Sequence, residues 1–142
     1  MVENVTVTNG QSTIVYIVGD SNATLRRLQL DYSTGDAMKI DGHHPDGVLV
    51  ESSYIGPHLG SADGAHADGV QTQVGGTNIT FRGNTIDMPI TIEELGAGWK
   101  SNSTFLIDKS TNYTIECNWL NGGNFTIYNS SSTNTRIMNN KL

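Results

Sequence analysis

Short apolar steps separated by turn residues recur along the whole chain. In positions 66–86, HADGVQTQVGGTNITFRGNTI, two such steps at 70–74 and 78–81 flank Gly75-Gly76, and a third follows at Thr85-Ile86. Apolar and polar residues that alternate within a short step are typical of a strand with one buried face. The pattern therefore predicts many short β-strands joined by tight turns.

The segment Asn78-Ile79-Thr80-Phe81 recurs as an internal repeat. The second residue of each copy falls at position 5, 23, 48, 79, 113 or 135, so successive copies are 18, 25, 31, 34 and 22 residues apart. A unit of about twenty residues, built from strands without helices, is typical of a β-solenoid. We therefore predict an all-β solenoid of about five to six coils that forms a single domain over residues 1–142.

Alternate residues of stacked strands should form columns inside such a coil. The first predicted column contains Val5, Val7, Leu25, Val48, Val50, Ile79, Phe81, Ile115 and Ile137, and the second contains Ile55, Ile86, Leu120 and Leu142. Asn84, Asn118 and Asn140 occupy the same place in three copies. We expect their side chains to stack at one inward corner and to bond to one another along the axis.

The motif HADGVQ at 66–71, followed by GGTNITFRGNTI at 75–86, resembles the right-handed parallel β-helix proteins of the pectate-lyase-like superfold. It is most similar to the variety with a His-x-Asp-Gly-(Ile/Val)-Gln strand, which occurs in phage virion proteins and in secreted bacterial proteins. The resemblance covers roughly residues 37–142 and implies a right-handed, single-stranded parallel β-helix. Lyases, hydrolases, epimerases, phage tailspikes and non-catalytic binders share this superfold, so the resemblance does not fix an activity.

The composition and net charge exclude some classes of binding partner. The net charge of −6 argues against a nucleic-acid backbone as ligand, and no apolar run approaches the roughly 20 residues that cross a bilayer. The first residues contain neither a basic nor an apolar leader segment. Cys117 is the single cysteine, which excludes an internal disulfide and a Cys-based zinc site, and we expect it to be a small buried residue. The predicted location is a virion or the extracellular space.

Two insertions, at 56–68 and 87–103, follow the equivalent positions Ile55 and Ile86 and should leave the rod at the same corner. Loops on a rigid scaffold commonly carry binding residues. Trp99 could stack on a sugar ring or fold back over the base of its loop. His66 and Asp68 are also the candidates for catalysis, with local bonding to loop amides as the alternative. The predicted ligand-binding residues are His58, Asp63, His66, Asp68, Glu93, Glu94, Trp99 and Lys100.

A second corner carries Asp41, His43, His44 and Asp46, which are the candidate metal ligands. Clustered histidine and aspartate side chains can bind a cation, and the alternative is a solvated loop. The spacing matches no helical metal motif. No cofactor is predicted. If an ion binds here, calcium is the one that suits carboxylates at such a corner.

The expected function follows from the outward-facing side chains of the strands and from the two end coils of the solenoid. Lys39 should stack on Gln71 and Arg82 on Glu116 as surface pairs, and no strand face gathers three carboxylates for catalysis. Val5 and Leu142 place apolar residues at the two end coils, so we expect either that the chain is a fragment or that other chains cover these coils. The sequence thus favours a non-enzymatic structural or adhesive module, such as a capsid- or tail-associated phage protein that binds carbohydrate. The alternatives are a polysaccharide lyase or glycoside hydrolase, and a carbohydrate-binding fragment of a secreted enzyme.

Overall fold

The structure, a computed structural model, describes residues 1–19, 22–57, 67–88 and 102–142. These residues form sixteen β-strands and contain no helix. The strands are β1 (Val2–Glu3), β2 (Thr6–Thr8), β3 (Val15–Val18), β4 (Thr24–Arg26), β5 (Gln29–Asp31), β6 (Met38–Asp41), β7 (Leu49–Glu51), β8 (Tyr54–Ile55), β9 (Val70–Thr72), β10 (Thr77–Arg82), β11 (Thr85–Met88), β12 (Ser103–Asp108), β13 (Thr111–Glu116), β14 (Trp119–Gly122), β15 (Phe125–Ser130) and β16 (Arg136–Met138).

Every third strand stacks on the next in one of three parallel sheets. Sheet A has the order β1-β4-β7-β10-β13-β16, sheet B the order β2-β5-β8-β11-β14, and sheet C the order β3-β6-β9-β12-β15. Three consecutive strands therefore make one coil, and β16 begins a sixth coil. The chain is a right-handed parallel β-helix, which confirms the predicted fold.

The registers confirm the two predicted columns over most of their length. Phe81 pairs with Val50 on one side and with Ile115 on the other, and Ile86 pairs with Ile55 and Leu120. All six side chains are buried. Sheet C adds a third inward column, which contains Val15, Met38, Val70, Phe105 and Ile127.

The first coil departs from the predicted register. Strand β1 places Val2, and not Val7, beside Leu25, while Val7 lies in β2 opposite Leu30. Val5 lies between the two strands and is 37% exposed. The assignment of Val5 and Val7 to the column of Leu25 was therefore wrong.

The cause of the register error lies in the corners on both sides of sheet A. Asn78, before the core of β10, has a φ of 54°, and Asn4, after β1, has a φ of 57°. Asparagine tolerates this left-handed conformation at either corner, so an Asn-x-Thr pattern does not say on which side of sheet A it lies. Cys117 occupies the second corner with a φ of 56° and is exposed, so its predicted burial was also wrong.

The sixth coil is in the predicted register but is not buried. Ile137 pairs with Ile115, and Leu142 follows Lys141, which bridges to Trp119. Ile137 is 48% exposed and Leu142 is 76% exposed, because no described strand covers the far side of this coil. The prediction that these two side chains belong to the core was wrong.

The asparagine ladder is confirmed. The backbone N–H and side-chain amide of Asn84 donate to Asn118 Oδ1 at 2.8 and 3.0 Å, and those of Asn118 donate to Asn140 Oδ1, both at 2.9 Å. Each of the three side-chain amides also donates to a carbonyl oxygen of sheet A, at 3.0, 3.1 and 2.8 Å. Ser53 continues the ladder, because its N–H donates to Asn84 Oδ1 at 3.0 Å and its hydroxyl accepts from the N–H of Leu28 at 3.1 Å.

The second predicted insertion overlaps strands at both of its ends. Strand β11 continues through Asp87 to Met88, and β12 begins at Ser103, so both ends of the predicted 87–103 insertion belong to sheets B and C. Residues 58–66 and 89–101 lie outside the described residues. The fold thus fixes the corner between sheets B and C at which both segments connect to the coil.

Candidate functional site

Most of the predicted ligand-binding residues lie outside the described part of the chain. These are His58, Asp63, His66, Glu93, Glu94, Trp99 and Lys100. Their roles stay predictions. Asp68 is the member of the set that the structure describes.

Asp68 is fully buried at the corner between sheets B and C. Its Oδ1 accepts hydrogen bonds from the N–H of Ser103 at 2.7 Å and from the side-chain amide of Asn102 at 3.0 Å, and its Oδ2 accepts one from Gln71 at 3.3 Å. The N–H of Asp68 donates to Asp36 Oδ1 at 2.9 Å. The carboxylate therefore joins successive coils through backbone and amide groups, which is the local role that the sequence offers as the alternative to catalysis.

Asp36, directly above Asp68, is a buried carboxyl group with an altered acidity. Burial raises the pKa of Asp36 to about 6, with a further upward contribution from the Asp68 carboxylate, while the Asp68 N–H and Lys39 act in the opposite direction. The folded state therefore favours the protonated acid more than the unfolded chain does. The contribution of this group to stability is most favourable below the ordinary pKa of 3.8 and worsens as pH rises to about 6.

Asp36→Asn should stabilise the fold in a pH-dependent manner. An amide keeps an acceptor for the Asp68 N–H but is never charged, so the gain should reach about 2–3 kcal/mol above pH 6 and vanish below about pH 4. Urea unfolding of both proteins at about pH 4 and about pH 7.5 measures the difference. An equal effect of the substitution at both pH values would contradict the assignment of a raised pKa.

The predicted metal corner directs its two carboxylates to different protein groups. Asp41 Oδ1 accepts from the N–H of Gly42 at 2.6 Å, and its Oδ2 contacts the hydroxyl of Tyr16 at 3.2 Å and Lys39 Nζ at 3.7 Å. Asp46 Oδ1 accepts from the side-chain amide of Asn78 at 2.8 Å. Both carboxylates thus have partners on the coil surface.

The two histidines of that corner, His43 and His44, are exposed and adopt left-handed φ angles of 44° and 52°. Within residues 1–19, 22–57, 67–88 and 102–142, no three His, Cys, Asp or Glu side chains are grouped closely enough to hold an ion, and this includes the four at the corner. The corner therefore has the geometry of a solvated turn.

The outer face of sheet A carries charges of alternating sign in one column. Glu3, Arg26, Glu51, Arg82 and Glu116 lie in register on five successive strands. Arg82 contacts Glu51 at 2.7 Å, and this hydrogen bond raises the pKa of Arg82. The predicted stacking of Arg82 on Glu116 is confirmed, as is that of Lys39 on Gln71. Exposed pairs of this kind each contribute about 0–1 kcal/mol, so the column aligns the coils more than it stabilises them.

A shallow groove of roughly 480 Å³ runs beside this column on sheet A. Arg136 and Met138 of the last strand form one end of it, and Asn78 and Thr80 lie along its length. The side chain of Asn78 also accepts a hydrogen bond from the amide of Asn112 at 3.0 Å. The groove is open and is lined about equally by polar and apolar atoms, unlike the concave, largely apolar sites that usually hold small ligands.

The outer face of sheet B has a different character. One column places Gln29, Tyr54, Thr85 and Trp119 on successive strands. The adjacent column contains Asp31, Gly56, Asp87 and Asn121. We call these eight residues the sheet B face. It combines aromatic rings, carboxylates and amides at the base of both undescribed segments.

The two carboxylates of the sheet B face are held by neighbouring amides. Asp87 Oδ1 accepts from Asn121 at 2.8 Å, and Asp31 Oδ2 accepts from Gln29 at 2.9 Å. Asp31 is 5% exposed, and its Oδ1 is buried without a hydrogen-bond partner. Burial raises the pKa of Tyr54, and the nearby charges of Asp87 and Asp31 raise it further. Tyr54 therefore lies within electrostatic range of both carboxylates.

Gly56 lets two successive coils approach closely at the end of β8. Its φ is 122°, and a Cβ atom at this position would lie 1.9 Å from the carbonyl oxygen of Asp87. A side chain would thus force β11 away from β8. The glycine leaves a gap in the column between Asp31 and Asp87.

Comparisons of the chain with protein-family models, with curated proteins and with solved structures gave no significant match. The β-helix fold therefore rests on the strand order and registers themselves. The resemblance of the HADGVQ motif to pectate-lyase-like proteins stays a prediction, because no family model or relative matches. In the described part of the chain, no helix is long and apolar enough to span a bilayer.

Sequence reasoning missed the sheet B face, although its register was available. The copies that align Ser53-Tyr54-Ile55 with Asn84-Thr85-Ile86 and with Asn118-Trp119-Leu120 already place the middle residue of each triplet outward. A search for clustered histidines and aspartates along the chain does not find such a site, because its members are separated by whole coils.

Proposed function

We propose that this chain is a non-enzymatic structural and adhesive β-helix module. It assembles with other protein chains in a virion or another extracellular particle, as a capsid- or tail-associated protein, and it binds carbohydrate. The observation that carries the proposal is the apolar surface of the two end coils. The similarity of the HADGVQ motif to phage and secreted β-helix proteins supports the location.

The end coils expose side chains of the kind that the middle coils bury. At the first coil, Val2 is 48% exposed, and at the last, Ile137 is 48% and Met138 is 41% exposed. Strands β1 and β16 each pair with one described neighbour, so one edge of each lacks a partner among the described residues. Unpaired parallel edges beside apolar side chains favour association with further strands.

The charged groups of sheet A support a structural role. Glu3 binds Arg26 and Arg27, and Glu51 binds Arg82, so these side chains link neighbouring coils. At the opposite corner, the carboxylate of Asp68 accepts hydrogen bonds from Ser103, Asn102 and Gln71. These contacts connect successive coils along the long faces, which suits a rod that presents a surface to a partner or ligand.

Ile137→Lys should reduce self-association or capture by the partner assembly. A charge on the exposed end coil opposes the burial of that surface, and we expect the apparent mass in light scattering to fall to that of a monomer. Val74→Lys is the matched control, because Val74 is 55% exposed on a corner of the third coil, away from both ends, and should leave the apparent mass unchanged.

A wild-type chain that is monomeric at all accessible concentrations would argue against assembly through its own ends. If both variants lost association, the added charge itself and not its position at the end coil would be the cause, which would contradict association through the ends. Release of unsaturated sugars from a polyuronate would instead favour the lyase alternative.

A further inference from the structure

We propose that the sheet B face binds an uncharged oligosaccharide, with sugar rings stacked on Tyr54 and Trp119 and hydroxyls donating to the carboxylates beside them. The inference rests on the carbohydrate-binding part of the proposed function and gives it a site and a ligand class. It assigns the site to residues of the coil itself.

The two aromatic rings are spaced by the coil. Tyr54 pairs with Thr85, and Thr85 pairs with Trp119, so the two aromatic positions are two strand spacings apart, about 9.6 Å. Both side chains are partly exposed, and their strands hold them in place. Aromatic faces pack well against the C–H surface of a pyranose ring, while Tyr and Trp retain a polar group for water or a hydroxyl. The small Thr85 leaves room between them for the link that joins sugar units.

Hydrogen-bond acceptors lie along the same direction. Asp87 is partly exposed, and while its Oδ1 accepts from Asn121, its Oδ2 accepts no hydrogen bond from the described residues. Asp31 Oδ1 is buried and has no partner, which is costly for a carboxylate oxygen. A sugar hydroxyl inserted beside Tyr54 would supply the missing donor. Ionised carboxylates accept the strongest hydrogen bonds that neutral hydroxyls make in proteins.

The charge of the face selects the class of sugar. Asp31 and Asp87 both lie on it, and among the described residues the nearest cation in its columns is Lys141, beyond Trp119 at the last coil. A polyuronate would bring like charges against these carboxylates. The site therefore favours neutral sugars and disfavours acidic ones.

Isothermal titration with hexasaccharides tests the site. The probes are β-1,4-linked glucose, β-1,4-linked mannose and α-1,4-linked glucose hexamers, with hexagalacturonate as the acidic comparison. We expect at least one neutral probe to bind and hexagalacturonate not to bind. Trp119→Ala and Tyr54→Ala should each weaken binding by roughly three- to tenfold, the effect of losing one ring contact. Tyr16→Ala is the matched control, because Tyr16 is an exposed tyrosine on the outer face of sheet C and should leave affinity unchanged.

Urea unfolding of each variant separates loss of binding from loss of fold. The proposal is overturned if no neutral probe binds, if hexagalacturonate binds more tightly than every neutral hexamer, or if Tyr16→Ala abolishes binding while Trp119→Ala and Tyr54→Ala do not. Light scattering on the same samples reports assembly independently. An assembled protein without sugar affinity would overturn the site alone, and a sugar-binding monomer would overturn the assembly alone.

Discussion

Asn118→Ala is expected to lower the free energy of unfolding by about 3–5 kcal/mol. The side chain is 2% exposed and makes four hydrogen bonds: its Oδ1 accepts two from Asn84, and its amide donates to the Phe81 carbonyl and to Asn140 Oδ1. Truncation leaves the N–H of Asn84 and the carbonyl of Phe81 buried without these partners. Each such group carries a desolvation penalty of about 1–3 kcal/mol, which is why the expected total is large.

Two further variants refine this expectation. Asn118→Ser should recover part of the loss, because Ser53 occupies the equivalent position and its hydroxyl accepts from the Leu28 N–H. Asn121→Ala removes an exposed amide that bonds to Asp87 and should cost below about 1 kcal/mol. Chemical unfolding of the three variants gives the comparison. If Asn118→Ala were no more harmful than Asn121→Ala, the ladder would not be a source of stability.

The ladder could be predicted from the sequence because its members keep a constant place in the repeat. Each ladder residue follows a strand of the same pattern and is followed by one outward residue and then one apolar residue, so stacking the copies aligns Asn84, Asn118 and Asn140. The same alignment gave the register of Phe81 with Ile115. A fold in which each coil repeats the last turns one correct local alignment into a correct global one.

The first coil escaped prediction for the opposite reason. Its Asn4-Val5-Thr6-Val7 segment matches the Asn-apolar-Thr-apolar pattern of the motif, but Asn4 occupies the corner after sheet A and not the one before it. Exposure adds to the ambiguity, since no strand among the described residues stacks on the outer side of Val5 to require its burial. Pattern matching fails where the physical constraint of a neighbouring coil is missing.

The sequence predicted the corner at which the two insertions leave the coil. It did not predict the residues of the sheet B face. Both undescribed segments begin near the corner after β8 and β11, as the equivalence of Ile55 and Ile86 indicated. The outward residues Tyr54 and Asp87, in contrast, are far apart in the sequence and come together only when the coils are stacked. Asp31 lies outside residues 37–142, over which the sequence resembles known β-helix proteins, so its position near Tyr54 became visible only in the structure.

Phe81→Ala is expected to be the most damaging change in the core, with a loss of about 3–5 kcal/mol. Phe81 is fully buried, meets Phe105 edge to face with ring centroids 5.0 Å apart, and stacks on Tyr113 at 6.1 Å. These three rings connect sheets A and C across the centre of the rod. Their tightly packed neighbours cannot collapse into the space without moving strands that are fixed by hydrogen bonds on both sides.

Phe125→Ala is the matched control for this cavity, because Phe125 is 47% exposed on the fifth coil and contacts Tyr128 at 5.4 Å. Its loss should cost below about 1.5 kcal/mol, since the residue gives up little buried surface. Phe81→Leu, a smaller truncation at the central position, should fall between the two and keeps the test informative if Phe81→Ala does not fold. The order of unfolding midpoints in urea decides the matter. A ranking in which Phe125→Ala is the most harmful would place the stability of the rod near its last coils and not at the aromatic centre.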